Sequence, residues 1–197
     1  MLDLAQNTTL QQHPQIIKGR EVVADDWNVL RLNADAAPEA VDVPAGKIIV
    51  PLSVWLAQRD TLSQRANQSK DVGVWIPSDQ LASSIKDDLD KFGVIAVDFP
   101  KFTDGRGYSI AFNLRQRHGY KGELRAIGDV LRDQLFQMYR CGFDAYATRQ
   151  DRSIVDAVKG LSVFSETYQA SVDNPLPLWR RHARNVPPEH SDIGAGI

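Results

Sequence analysis

Between residues 47 and 149, short apolar runs alternate with stretches in which apolar positions recur every three to four residues. The runs KIIVPLSVW, DVGVWIP, VIAVDF, GELRAIG and FDAYAT have the length and β-branched content of strands. VIAVDF is apolar on both faces, as a strand covered on both sides must be. Residues 56–69 read as a polar helix. Residues 78–91 read as another, with Ser78 as N-cap, Leu81, Ile85 and Leu89 at i, i+4 and i+8, and Gly93 just past its end. The pattern over 106–118 predicts a helix with Ile110 and Leu114 on one face and Gly119 as its stop. Asp129 caps a fourth helix over 130–141, whose stripe is Leu131, Leu135 and Met138 and whose stop is Gly142. A last helix opens at Asp151 or Ser153, carries Ile154, Val158, Leu161 and Tyr168 on one side, and is weakened by Gly160.

Strands alternating with helices imply an α/β fold. The expectation is an open, mostly parallel sheet of about five strands with helices on both faces, plus an N-terminal β-hairpin. The alternative is a partial or irregular βα barrel, since five units are too few for a complete eight-unit one. Residues 1–15 are polar and read as loose. IIKGREVVADDWNVLRL reads as two short strands turning at Asp25 and Asp26. Such a hairpin does not hold itself in water, so it must dock on the main sheet or on another chain. The expected organisation is an arm over 1–46, with linker 33–46, an α/β domain over 47–172 and an extended tail over 173–197. In that tail, Trp179-Arg180-Arg181-His182-Ala183-Arg184 is a basic, aromatic patch.

Composition narrows the function classes. The 197 residues are 43% hydrophobic and 24% charged, enough for one sizeable core. A net charge of -2 lacks the basic excess of a duplex-binding domain, so nucleic acid is not an expected partner. No stretch approaches the length of a spanning helix, and the first residues lack a basic, apolar leader pattern. One cysteine, Cys141, excludes an intrachain disulfide, a thiolate zinc site and an iron–sulfur cluster within the chain, and reads as an inert core thiol. The four histidines show no ligand spacing, so no cofactor or metal is expected. A reducing cytoplasm is the expected compartment.

In parallel sheets, ligands sit at the carboxyl ends of the strands, which makes the charges there the candidate chemistry. Asp98 and Lys101 follow VIAVDF. TDGRGYS then offers Asp104 as a cap, two glycines for close backbone approach, and Arg106 and Ser109 beside the free N–H groups of a helix start, a pattern suited to an anion. It also fits an ordinary turn and cap. It is not a dinucleotide fingerprint, because Ile110 stands at the third glycine position. Asp129 and Arg132 follow the next strand, and Arg149 the last. Asp98 and Asp129 are the candidate proton-transfer groups. Lys101, Asp104, Arg106, Ser109, Arg132 and Arg149 are the candidate ligand contacts. Arg125, mid-strand, needs a carboxylate partner, with Asp98, Asp129 and Asp144 as candidates.

The run FPKFTDGRGYSIAFNLRQRHGYKGELRAIGDVLRDQLFQMYRCGFDAY resembles the signature of an uncharacterised family of bacterial proteins. Its members are labelled as involved in sulfite reduction, on the strength of genes lying beside assimilatory sulfite reductase. The resemblance spans about residues 47–170. It implies an accessory role in sulfate or sulfite assimilation, with sulfite reductase or another enzyme of that route as partner. Some members are called oxidoreductases, but these residues contain no redox cysteine pair, cluster ligands or complete nucleotide fingerprint. Three functions follow as expectations: a docking accessory of sulfite reduction, an enzyme or binding protein for a small oxyanion or phosphorylated ligand, and a homodimeric structural module.

Overall fold

The computed structural model describes residues 8–33 and 35–181. It contains nine strands among the described residues: β1 (Thr8–Gln12), β2 (Gln15–Lys18), β3 (Glu21–Ala24), β4 (Asn28–Leu32), β5 (Ile48–Pro51), β6 (Val72–Ile76), β7 (Val94–Phe99), β8 (Glu123–Gly128) and β9 (Ala145–Tyr146). The helices are α1 (Leu52–Ala57), α2 (Arg59–Ser69), α3 (Arg106–Gln116), α4 (Arg132–Arg140), α5 (Ile154–Val158) and α6 (Leu178–Arg181). All strands belong to one mixed, curled sheet in the order β1-β4-β5-β6-β7-β8-β9-β2-β3. Strands β4 to β9 are mutually parallel, and β1, β2 and β3 are antiparallel additions.

The sheet differs from the open five-stranded one the pattern predicts. Strands β5 to β9 lie side by side in chain order. Right-handed crossovers between sequential neighbours all return on the same side. Accordingly, one apolar cluster joins the helices to one face of the strands through residues such as Val50, Val74, Ile95, Val97 and Tyr146. The other face carries a smaller cluster of Ile16, Trp27, Val29, Ile49, Val94, Ala96, Ile127 and Ala147, which includes no helical residue. Helices therefore cover one face only. The second face of VIAVDF is buried because the sheet curls over it.

The N-terminal arm makes that curl possible. Gly19 (φ 61°) and Arg20 form the tight loop between β2 and β3, as a primed hairpin turn favours. The turn thus lies six residues before the Asp25–Asp26 position read from sequence. Asp25 to Trp27 instead break the returning arm into β3 and β4. Residues 8–12, read as loose, pair with β4 along its length. One part of this long bent hairpin pairs with β5 through β4, and the other pairs with β9 through β2. It spans both ends of the parallel array.

Further elements depart from the pattern. In KIIVPLSVW the strand stops at Pro51 and LSVW begins α1, and the last helix ends at Val158, continues as a 3-10 turn to Ser162 and does not reach Tyr168. The helix read over 78–91 is a single 3-10 turn, Ala82–Ile85, within a series of turns. Leu81 of the expected stripe is left exposed, and Ser78 gives its hydroxyl to Asp104 instead of capping a helix, while Asp88 is buried and accepts from Trp55 Nε1 (3.0 Å), Arg59 Nη2 (2.9 Å) and Lys91 Nζ (2.7 Å). Asp129 does not cap α4. Leu131 occupies the N-cap, and its N–H is taken by Gln134 Oε1 at 2.8 Å. The start of the expected tail is tied to the body by Arg140, which bonds Asp173, and Leu178 and Arg181 are tied back to Tyr168 and Glu166. His182, Ala183, Arg184 and the rest of the tail lie outside the described residues.

Candidate functional site

Parallel strands direct their following loops to one end of the sheet. Alternation along β7 sends Val94, Ala96 and Asp98 to the concave face, while Ile95, Val97 and Phe99 meet the helices. Asp98 therefore stands at the rim of the curl. Its partner is Arg31 of β4, with Nη2 2.8 Å from Asp98 Oδ1. The Arg31 guanidinium lies 4.7 Å from the ring of Trp75, whose own Nε1 donates to Leu30 O at 2.8 Å. Arg31 Nε donates to Gln11 Oε1 at 3.3 Å, and Gln11 Nε2 lies 3.2 Å from His13 Nε2. With the amide donating, the imidazole accepts at Nε2 and carries its proton on Nδ1. That Nδ1 is buried without a partner. His13 is only 5% exposed, and burial pulls its pKa down. Asp25 opposes this, whereas Arg125 and Arg31 add to it.

The anion pattern at the start of α3 is met by the protein itself. Asp104 Oδ1 accepts from Arg106 N–H (3.1 Å) and Nε (3.0 Å), and Asp104 Oδ2 accepts from Arg106 Nη2 and the Ser78 hydroxyl, both at 2.7 Å. Its carboxyl is held far below the usual range, first by Arg106 and then by Ser78. The position where an external anion would sit already holds a carboxylate. Ser109 lines a depression of about 300 Å³ together with Ser78, Arg106 and Asn113.

Asp129 bridges two loops. It accepts from Phe102 N–H at 2.8 Å and from Arg149 Nη1 at 3.1 Å. Arg149 also pairs with Asp151 at 2.8 Å and borders a depression of about 280 Å³ with Gln15 and Gln150, which shares Thr148 and Arg152 with the next one. Arg132 pairs with Asp156 at 2.8 Å on the rim of a third, of about 520 Å³. Lys101 is exposed and makes no ion pair among the described residues. The sequence candidates thus share the carboxyl end of the sheet but divide into three depressions and a rim.

Several polar groups here have no sequence signature. Gln11, His13 and Arg31 come from the arm, and Trp75 reads simply as a strand residue. The only local hint is Arg31, which falls on the same side of its strand as Val29. Arg125 is paired, as its burial demands, but with Asp25 and Glu123 toward the opposite end, not with Asp98, Asp129 or Asp144. Asp144 instead binds Arg115 and the Leu124 N–H. Cys141 is buried and burial raises its thiol pKa, so it stays protonated. Among the described residues no group of His, Cys, Asp and Glu is arranged to hold a metal ion, and no helix is long and apolar enough to cross a membrane.

No curated protein matches the chain. A family model does match, over residues 73–179, from β6 through the α3 and α4 units to the C-terminal segment, and the chain therefore belongs to the family described as bacterial protein of unknown function (DUF934).

Proposed function

We propose that this protein serves assimilatory sulfite reduction as an accessory that docks on an enzyme of that route. The resemblance of the signature run supports the pathway. The observation that supports docking is the concentration of exposed apolar side chains from α5 through the C-terminal segment. Phe164 and Tyr168 are 62% and 68% exposed, and Val155, Val163, Leu176 and Trp179 are exposed with them. Single exposed apolar residues are ordinary, but a group of this kind marks an interaction surface.

The segment is held in shape. Phe164 packs on Phe136 with ring centroids 5.1 Å apart. Leu178 N–H donates to Tyr168 O at 3.0 Å, and Arg181 pairs with Glu166 at 3.0 Å, so Tyr168 and Trp179 lie on neighbouring strips of chain. Aromatic anchors on a fixed backbone lose little conformational entropy on binding. At the carboxyl end of the sheet, by contrast, Arg31, Arg106, Arg132 and Arg149 each already meet a carboxylate. That balance favours recognition over turnover.

The test is binding of purified assimilatory sulfite reductase to the immobilised full chain. Saturable binding is expected, weakened about tenfold or more by Phe164→Glu or Trp179→Glu, as for an anchor residue. Absence of binding by the parent, together with normal growth of a deletion strain on sulfate as sole sulfur source, would overturn the proposal.

A further inference from the structure

The most voluminous of the three depressions has the makings of a site distinct from the docking surface. It lies where the last two strand–helix loops meet. Gly128 (φ 94°) ends β8 and turns the chain toward α4. The loop after β9 is stitched to it, because Arg149 N–H donates to Val130 O at 3.0 Å. Ser153 then opens α5, its hydroxyl oxygen accepting from Asp156 N–H at 3.2 Å. The depression of about 520 Å³ between these two helix starts is lined by Arg132, Thr148, Arg152 and Ser153, with Asp133 and Asp156 also at its wall.

Thr148 is the best-covered polar residue of the wall. It lies just past β9 and lines both this depression and the adjoining one beside Gln15 and Arg149. The residue is only 5% exposed, its hydroxyl makes no hydrogen bond among the described residues, and that oxygen is still open to solvent, so it is an uncommitted donor at the wall. Ser153 Oγ uses a lone pair on Asp156 N–H, which leaves its O–H proton to donate. Both residues therefore bring an uncommitted hydroxyl proton to the wall of the depression.

The cations are arranged to match. Gly160 lets the 3-10 turn Lys159–Ser162 press on Arg132: a Cβ there would clash with Arg132 O and stand 3.0 Å from its Cγ. That contact fixes the arginine stem at the rim. The Arg132–Asp156 pair is about half exposed and exchangeable, and Asp156 keeps Lys159 at 3.2 Å if Arg132 turns away. Arg152 is loosely held, 3.6 Å from Asp151. The positive end of α4, a nine-residue helix, adds to the field.

We infer that this depression binds a small molecule through a terminal tetrahedral oxyanion, a phosphate or sulfate group, held by Arg132, Arg152, Thr148 and Ser153. The volume is that of a small-molecule site and exceeds what a bare ion fills. The site is independent of the docking surface and stands whether or not that reading does.

The experiment is titration of the full chain with inorganic phosphate, inorganic sulfate and sulfite at constant ionic strength, followed by calorimetry and by amide chemical shifts. Saturable binding of at least one anion, with shifts centred on Arg132, Thr148 and Ser153, is expected. Preference for phosphate identifies a phosphorylated ligand, and preference for sulfate or sulfite identifies a sulfur oxyanion. Arg132→Ala should weaken binding about tenfold, the loss of a charge-assisted contact. Thr148→Val, nearly isosteric and checked for folding by circular dichroism, should weaken it severalfold, and Thr148→Ser should restore it. Equal binding by Thr148→Val and parent, or shifts that never saturate, would overturn the inference.

Discussion

Asp25→Ala should strand a guanidinium inside the sheet. Arg125 and Asp25 have side chains 2% exposed, and Arg125 Nη1 donates to both Asp25 oxygens at 3.0 and 2.9 Å. Asp25 also accepts from Trp27 N–H at 3.2 Å, which helps set the break between β3 and β4. Breaking one side of a buried ion pair costs about 3–5 kcal/mol. Glu123 remains, accepting from Arg125 Nε and Nη2 at 2.9 and 2.7 Å, so the loss should fall near the lower end, about 3 kcal/mol. For a chain of this size that is a fall in Tm of roughly 6–12 °C. Arg125→Met in the same background removes the stranded charge. The double variant should then be more stable than the sum of the two single losses by about 1–3 kcal/mol. Urea unfolding of parent, singles and double, with unchanged m-value, measures each quantity. A loss under about 1 kcal/mol for Asp25→Ala, the magnitude of an exposed pair, would refute the claim that this interaction is dry and locks the hairpin to β8.

Other variants probe separate parts of the argument. Asp88→Ala removes the acceptor of the fully buried Trp55 N–H and of two cations, and should cost about 3 kcal/mol by urea unfolding. A neutral result would mean the turns over residues 78–91 do not depend on that hub. His13 has a folded pKa below its unfolded value near 6.5, so the unfolded state binds more protons as the pH drops. Its contribution to stability is complete above about pH 6.5 and is lost as pH falls below that value, and His13→Phe should flatten this part of the stability–pH profile. Gly128→Ala forces a side chain at φ 94° against Phe99 O and, at 2.8 Å, Asp98 Oδ1, and should cost about 1–3 kcal/mol while disturbing the Arg31–Asp98 pair, seen as a shifted Trp75 fluorescence.

What the sequence determined by itself was local. The apolar runs at β6 to β8 and the 3.6-residue stripes of α3 and α4 depend on neighbours a few positions away, so their elements could be read directly. The helix expected over 78–91 did not form, because its cap residue Ser78 is taken by Asp104, 26 residues further on, and Leu81 of its stripe finds no apolar cover. The hairpin's existence was legible, but its turn and its task were not. Only the tertiary structure decided that the arm would span both ends of the parallel array. That choice set Asp25 against Arg125, one hundred residues on, and Arg31 against Asp98. The candidate charges could be placed at one end of the sheet from strand direction alone. Their grouping could not, because which side chains meet across a curled sheet is set by strand stagger and closure, and these emerge only when every strand is in place.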